Sequence, residues 1–179
     1  TNTAEVRDFG RGIPFGKMDD GNEALVAIAT DLHSGGKFGG EGYKVSGGLH
    51  GIGITAVNAV SSKLTITSNR DRKTATATFS RGKHLDMKVK DKLRTVPNGS
   101  VVRFTPDTEI FESIKFDFEQ TKERIKQLSF LSSGITFDLV FDDKHEVFCS
   151  EEGLKDMIVD IAPELTTDVM FIRHENGNH

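Results

Sequence analysis

The residue types able to do chemistry gather in two places. The first is Gly47-Gly48-Leu49-His50-Gly51-Ile52-Gly53, where a glycine-rich loop gives way to helical spacing. A helix N-terminus exposes unpaired backbone N–H groups and carries partial positive charge. Glycines let those groups approach a bound phosphate, and each N–H to a charged oxygen contributes about 1.5–3 kcal/mol. Lys37 and Lys44 on the preceding loop could add charge, and Tyr43 a hydroxyl. The competing reading is a flexible surface loop that ends in a glycine-rich helix start, because such strings recur without a ligand. No Walker A string occurs, and no Gly-x-Gly-x-x-Gly sits in a strand-turn-helix setting, which argues against a P-loop or a dinucleotide site.

The second place is Asp8, at the end of a strand-like stretch and just before Gly10-Arg11-Gly12-Ile13-Pro14. A carboxylate there could accept a hydrogen bond from a ligand amine, such as the adenine amino group. It could equally stabilise its own turn. Other reactive residues read as structural. His33 and His50 have no partners at metal-ligand spacing. Gln120-Thr121-Lys122 reads as a solvated helix face. Lys88, Lys90, Lys92 and Arg94 read as a wet strand edge, with contact to a DNA backbone as the lesser alternative. Cys149 reads as a core residue.

These residues need elements to position them. Period-two alternation predicts strands at 64–68, 74–79, 85–89 and 101–105, with residues 4–8 as the tail of another. Leu25, Ile28, Ala29 and Leu32 follow helical spacing over 23–33, with Asn22 able to cap the start. Residues 34–48 hold too much glycine for a packed element and read as a functional lid. A helix from about Leu49 to Ser61 follows, with Ile52, Ala56, Val57 and Val60 as its buried stripe. Another helix spans about 117–132. A hairpin turns at Asp142-Asp143-Lys144, and Leu154, Met157, Ile158 and Ile161 mark a last amphipathic helix. The expected fold class is α+β: a two-layer α/β sandwich, with a mixed, mostly antiparallel sheet and helices on one face. The expected organisation is a single domain over 1–179.

Composition narrows the function. The 179 residues hold 23 Lys plus Arg against 27 Asp plus Glu, a net charge of −4. That balance argues against a dedicated nucleic-acid-binding module. One cysteine permits no internal disulfide, which suits a reducing, cytoplasmic setting. No apolar run approaches the length of a membrane helix, so no membrane partner is expected.

Four strings occur in order: Asp8-Phe9-Gly10-Arg11-Gly12-Ile13-Pro14; Leu32-His33-Ser34-Gly35-Gly36-Lys37-Phe38; Tyr43-Lys44-Val45-Ser46-Gly47-Gly48-Leu49-His50-Gly51-Ile52-Gly53; and Gly99-Ser100-Val101-Val102-Arg103-Phe104. Together they resemble the ATPase domain of the DNA gyrase B and topoisomerase IV B subunits, in the GHKL superfamily. The resemblance implies a Bergerat ATP-binding fold, with ATP and Mg2+ as ligands. It implies Asp8 as the adenine-recognising aspartate, helped by a water and Ser100. Gly12, Ile13 and Pro14 would line the adenine pocket, with Arg11 beside it. Lys37 and Tyr43 would reach from the lid, and Gly47, Leu49, His50, Gly51, Ile52 and Gly53 would cradle the phosphates. Arg70 would stand at the mouth that aminocoumarin inhibitors meet.

The resemblance also implies partners. These are the gyrase A or topoisomerase IV A subunit, a second copy of the gyrase B-type subunit on ATP binding, and DNA through the whole enzyme. In the family, a helix upstream of the Asp8 strand carries the general-base Glu and a magnesium-holding Asn. Neither falls within residues 1–179, so the expectation is an N-terminally truncated domain that binds nucleotide with little or no hydrolysis. The alternatives are a non-catalytic nucleotide- or inhibitor-binding fragment, or another GHKL ATPase such as a chaperone or mismatch-repair relative. Gln120-Thr121-Lys122 mimics a family lysine loop but lies on a predicted helix, and takes no role from it.

Overall fold

The computed structural model describes residues 2–19, 21–31 and 52–164. The chain forms two compact units, Thr1–Lys115 and Phe116–His179. The first holds β1 (Ala4–Arg7), α1 (Ala24–Thr30), α2 (Gly53–Ala59), β2 (Ser61–Arg70), β3 (Lys73–Ser80), β4 (Lys83–Asp91) and β5 (Gly99–Pro106). Its five strands run in the order β1-β5-β2-β3-β4, and every pairing in it is antiparallel.

Register explains the core. Leu64 lies opposite Phe79, Ile66 opposite Ala77, and Ser68 opposite Ala75, all on one face. Thr65 with Thr78 and Thr67 with Thr76 occupy the other. Leu64, Ile66, Ala75, Ala77 and Phe79 are fully buried and cluster with Leu25 and Ala29 of α1. The two alanines of β3 leave room for the helix to come close. Ile54 and Val57 of α2 pack against the same cluster, so both helices cover one face. Helices this short do not persist in water alone, and the buried face holds them. Type I′-like positive φ angles at Asp71 and Arg72, and at Arg81 and Gly82, fit the two tight hairpin turns β2–β3 and β3–β4.

Three helical details differ from expectation. Glu23, not Asn22, stands at the N-cap of α1, without a side-chain cap bond. The Asn22 carbonyl instead accepts the Met18 N–H at 2.8 Å. Just ahead of α2, Ile52 is 42% exposed, and the fully buried residue of the helix is Asn58. Its amide donates to the Ala29 carbonyl at 2.9 Å, near the C-terminal end of α1. The interhelical polar contact, not the apolar stripe, takes the deepest position.

The second unit holds α3 (Phe118–Leu131), the antiparallel hairpin β6 (Phe137–Phe141) and β7 (Lys144–Phe148), and α4 (Leu154–Ile161). Asp117 caps α3 by accepting the Gln120 N–H at 2.8 Å. Lys122 is not simply solvated, since it pairs with Glu146 of β7 at 2.7 Å. Cys149 is exposed rather than a core residue. It continues the face of Val147, which the hairpin leaves 57% exposed. No helix among the described residues is long and apolar enough to cross a membrane.

Candidate functional site

Asp8 sits where β1 stops pairing. Its N–H donates to the Ser100 carbonyl at 2.9 Å, and Ser100 in turn lies opposite Ser68 in the β5–β2 register. Asp8, Ser100 and Ser68 therefore form one row across three strands at the sheet's end. Asp8 is exposed, whereas Ser100 and Ser68 are buried. Oδ1 of Asp8 accepts the Gly10 N–H at 2.8 Å, so the carboxylate does brace its own turn. A carboxylate has about four lone-pair sites, so one such bond does not exhaust it.

The following turn lies over this row. The Ile13 N–H donates to Ser100 Oγ at 3.3 Å, and Ser68 Oγ donates to the Ile13 carbonyl at 2.6 Å. Arg70 donates from a guanidinium nitrogen to the Gly12 carbonyl at 3.3 Å, and its Nε pairs with Asp71 at 3.1 Å. Gly12 has φ of +80°, and a Cβ there would come within 2.7 Å of the Asn69 carbonyl oxygen. Only glycine allows that approach. Gly99 is tighter still, with φ of +138° and a hypothetical Cβ 2.0 Å from the Asp8 carbonyl oxygen. The two glycines let the Asp8 and Gly12 backbones rest against neighbouring strands.

The chemistry of this arrangement is polar recognition. Ser100 Oγ accepts from Ile13, which leaves its own O–H to donate. An acceptor carboxylate beside a donor hydroxyl suits a planar ligand edge with one donor and one acceptor. Pro14 follows this turn and is half-buried, while Arg11 is exposed beside it.

Of the sequence-predicted residues, Asp8, Gly12, Ile13, Ser100 and Arg70 are brought together. Ile52 immediately precedes α2, and Gly53 opens it. A Cβ at Gly53 would meet no heavy atom within 4 Å among the described residues, so packing there does not demand glycine. Lys37, Tyr43, Gly47, Leu49, His50 and Gly51 lie outside the described residues, as do the 34–48 lid and His33. Among the described residues no group of three or more His, Cys, Asp or Glu could hold a metal ion. Sequence reasoning gave Ser68 no role. The signal was present: Leu64, Ile66 and Ser68 share the buried face of β2, and a hydroxyl breaks the apolar run.

Two clefts lie elsewhere. One of about 320 Å³ is lined by α1 residues including Val26 and Thr30, together with His84. The other, of about 380 Å³, lies within the second unit and includes Lys126, Cys149 and Asp156. Neither includes the Asp8 row.

No protein-family profile matches the chain. Individual proteins do. The chain is 39% identical over 164 residues to the DNA gyrase B protein of Mycolicibacterium smegmatis, covering 89% of this chain and 23% of that one. It is 34% identical over 180 residues to the DNA topoisomerase 4 B protein of Bacillus subtilis, covering 99% of this chain and 28% of that protein. The chain thus spans about a quarter of these relatives' length. Its structure matches the 43K ATPase domain of Thermus thermophilus gyrase B in complex with an aminocoumarin. The TM-score is 0.80 at 28% identity, over 98% of this chain and 46% of that one. Over most of its length, therefore, the chain is homologous to the ATPase domain of gyrase B and topoisomerase IV B subunits, and it shares their α+β fold.

Proposed function

With that homology as premise, we propose that residues 1–179 form an ATP-binding domain of a gyrase B-type component of a type IIA topoisomerase. The observation that carries the reading is the Asp8–Ser100–Ser68 row with the Gly12–Ile13 turn pinned over it. Asp8 accepts the adenine amino group through an oxygen not committed to Gly10, and the Ser100 hydroxyl serves the adjacent ring nitrogen directly or through a water. Gly12, Ile13 and Pro14 form the floor. Arg11 flanks it, and Arg70 stands at the mouth, where an aminocoumarin would also bind.

The segment Gly47–Gly53 holds the phosphates, with Lys37 and Tyr43 reaching them from the 34–48 lid. Mg2+ enters as the counter-ion of the nucleotide. The described residues offer it no cluster of three or more His, Cys, Asp or Glu.

Phosphoryl transfer is mostly positioning plus charge stabilisation. Residues 1–179 supply adenine and phosphate contacts, and the family pattern assigns the general base to none of them. These residues alone bind nucleotide with little or no hydrolysis. In the whole cytoplasmic enzyme, ATP binding pairs two gyrase B-type subunits, and turnover drives passage of one DNA duplex through another with the gyrase A or topoisomerase IV A subunit.

Asp8→Asn tests the site. An amide replaces one carboxylate acceptor with a donor and faces the adenine amino group donor to donor. Affinity for a non-hydrolysable ATP analogue should fall at least a hundredfold, with the melting temperature nearly unchanged. Unaltered affinity would remove Asp8 from the site. A melting loss without an affinity loss would leave it only its turn.

A further inference from the structure

We propose that Ser68 is a positioning residue for the adenine site, acting through the main chain of Ile13; this rests on the nucleotide reading above. Ser68 is fully buried, although it stands in line with Leu64 and Ile66 on the core face of β2. A buried hydroxyl is unfavourable there unless it is hydrogen-bonded. The bond it makes is short, 2.6 Å to the Ile13 carbonyl, and spans 55 residues of sequence.

Its partner on the adjacent strand, Ser100, takes the other side of the same residue by accepting the Ile13 N–H. The two hydroxyls hold both polar groups of Ile13, and Arg70 holds the carbonyl just before them. The turn therefore has little freedom to rotate. Fixing Ile13 also fixes the Ser100 hydroxyl. With one lone pair taken by the Ile13 N–H, the Ser100 O–H is left to donate elsewhere. Ser68 touches no ligand. It sets the position of the floor that a purine edge meets, by holding the Ile13 carbonyl.

A residue that merely filled the core would affect stability and leave base selectivity and exchange at Ile13 as they were. Ser68 should move both. Ser68→Ala keeps the volume nearly constant and removes only the donor. Ile66→Val is the control, because it weakens the core packing at the next inward position of the same strand and leaves both hydrogen bonds of Ile13 in place. Calorimetric titration of the full 179-residue chain with adenosine and with guanosine reads affinity and base selectivity. Amide hydrogen exchange at Ile13 reads the turn without ligand.

The expected result for Ser68→Ala is a three- to tenfold loss of adenosine affinity, the scale of one neutral hydrogen bond. The adenosine-to-guanosine preference should narrow, and exchange at Ile13 should quicken. Ile66→Val should leave all three unchanged. Equal affinity losses in the two variants, or unchanged selectivity and exchange in Ser68→Ala, would overturn the proposal. If the unmodified chain bound no adenosine, the nucleotide reading would fall and the adenine role of Ser68 with it. The exchange at Ile13 would then report separately whether Ser68 holds the turn.

Discussion

The five-stranded sheet and the β6–β7 hairpin are written in the same period-two alternation, yet they bury their faces differently. In the sheet, Leu64, Ile66, Ala77 and Phe79 are fully buried under α1 and α2. In the hairpin, Val140 and Val147 on one face are 69% and 57% exposed. Among the described residues of the second unit, only Ser129, Ser150 and Gly153 are buried. Half-buried apolar residues such as Ile125, Leu128 and Leu139 join its elements, together with polar and ring contacts: Lys122 with Glu146, Lys144 over the Phe118 ring at 4.0 Å, and Ser150 with Asp156 at 2.6 Å. Alternation tells which residues share a face. It does not tell whether anything covers that face. A covered face can hold a polar residue such as Ser68 in one orientation, and the candidate site lies against such a face.

The largest expected contrast is in core truncation. Phe79→Ala should destabilise the first unit by about 3–5 kcal/mol, because the ring is fully buried and its cavity cannot collapse freely. Val147→Ala should change the second unit by only about 0.5 kcal/mol. Denaturant titration of the two variants measures both. Similar losses would erase the distinction between the faces.

A smaller effect is expected at Gly99. Gly99→Ala must push the Asp8 backbone away and adopt an unfavourable φ, a strain of about 1–3 kcal/mol. Nucleotide affinity should fall further than stability, because Asp8 moves with the displaced strand end. A variant with intact affinity and normal melting would show that the close approach has no bearing on the site.

The smallest effect is in acid. The Glu109 N–H, and behind it Arg81, hold the Asp107 carboxyl of the first unit below the ordinary aspartate range. The Ser150 hydroxyl, and behind it the Glu152 N–H, do the same for Asp156 in the second. A carboxyl lowered in the folded state contributes stability that is present above its unfolded pKa, about 3.9. That contribution is lost as pH falls through the lower folded value. Both units should therefore lose stability below about pH 4. The second, with less apolar burial among its described residues, should unfold at the higher pH. Asp156→Asn should flatten the acid dependence of the second unit alone, as read by fluorine or proton NMR of each unit. Coincident acid transitions would contradict this order.

Much of the fold was legible in the sequence, because Leu64-Thr-Ile-Thr and Ala75-Thr-Ala-Thr-Phe state their inward face outright. Asp8, Ser100 and the Gly12–Ile13 turn were legible as motifs, and the antiparallel register places them together. Three features were not. Cys149 looked like core because alternation cannot reveal that its face lacks a cover. Asn58 carried no sequence signal because its value lies in a contact with α1, 29 residues away in sequence. Ser68 had no role in the sequence because its partner, Ile13, is reached only when the turn folds back across the sheet.

The central claim is that the row ending in Asp8 reads a purine. It is tested most directly by calorimetric titration of the 179-residue chain and its Asp8→Asn variant with a non-hydrolysable ATP analogue and magnesium. The expected result is saturable binding by the unmodified chain and binding weakened at least a hundredfold in the variant, both folded. Equal binding by the two, or no binding by a folded unmodified chain, would contradict it.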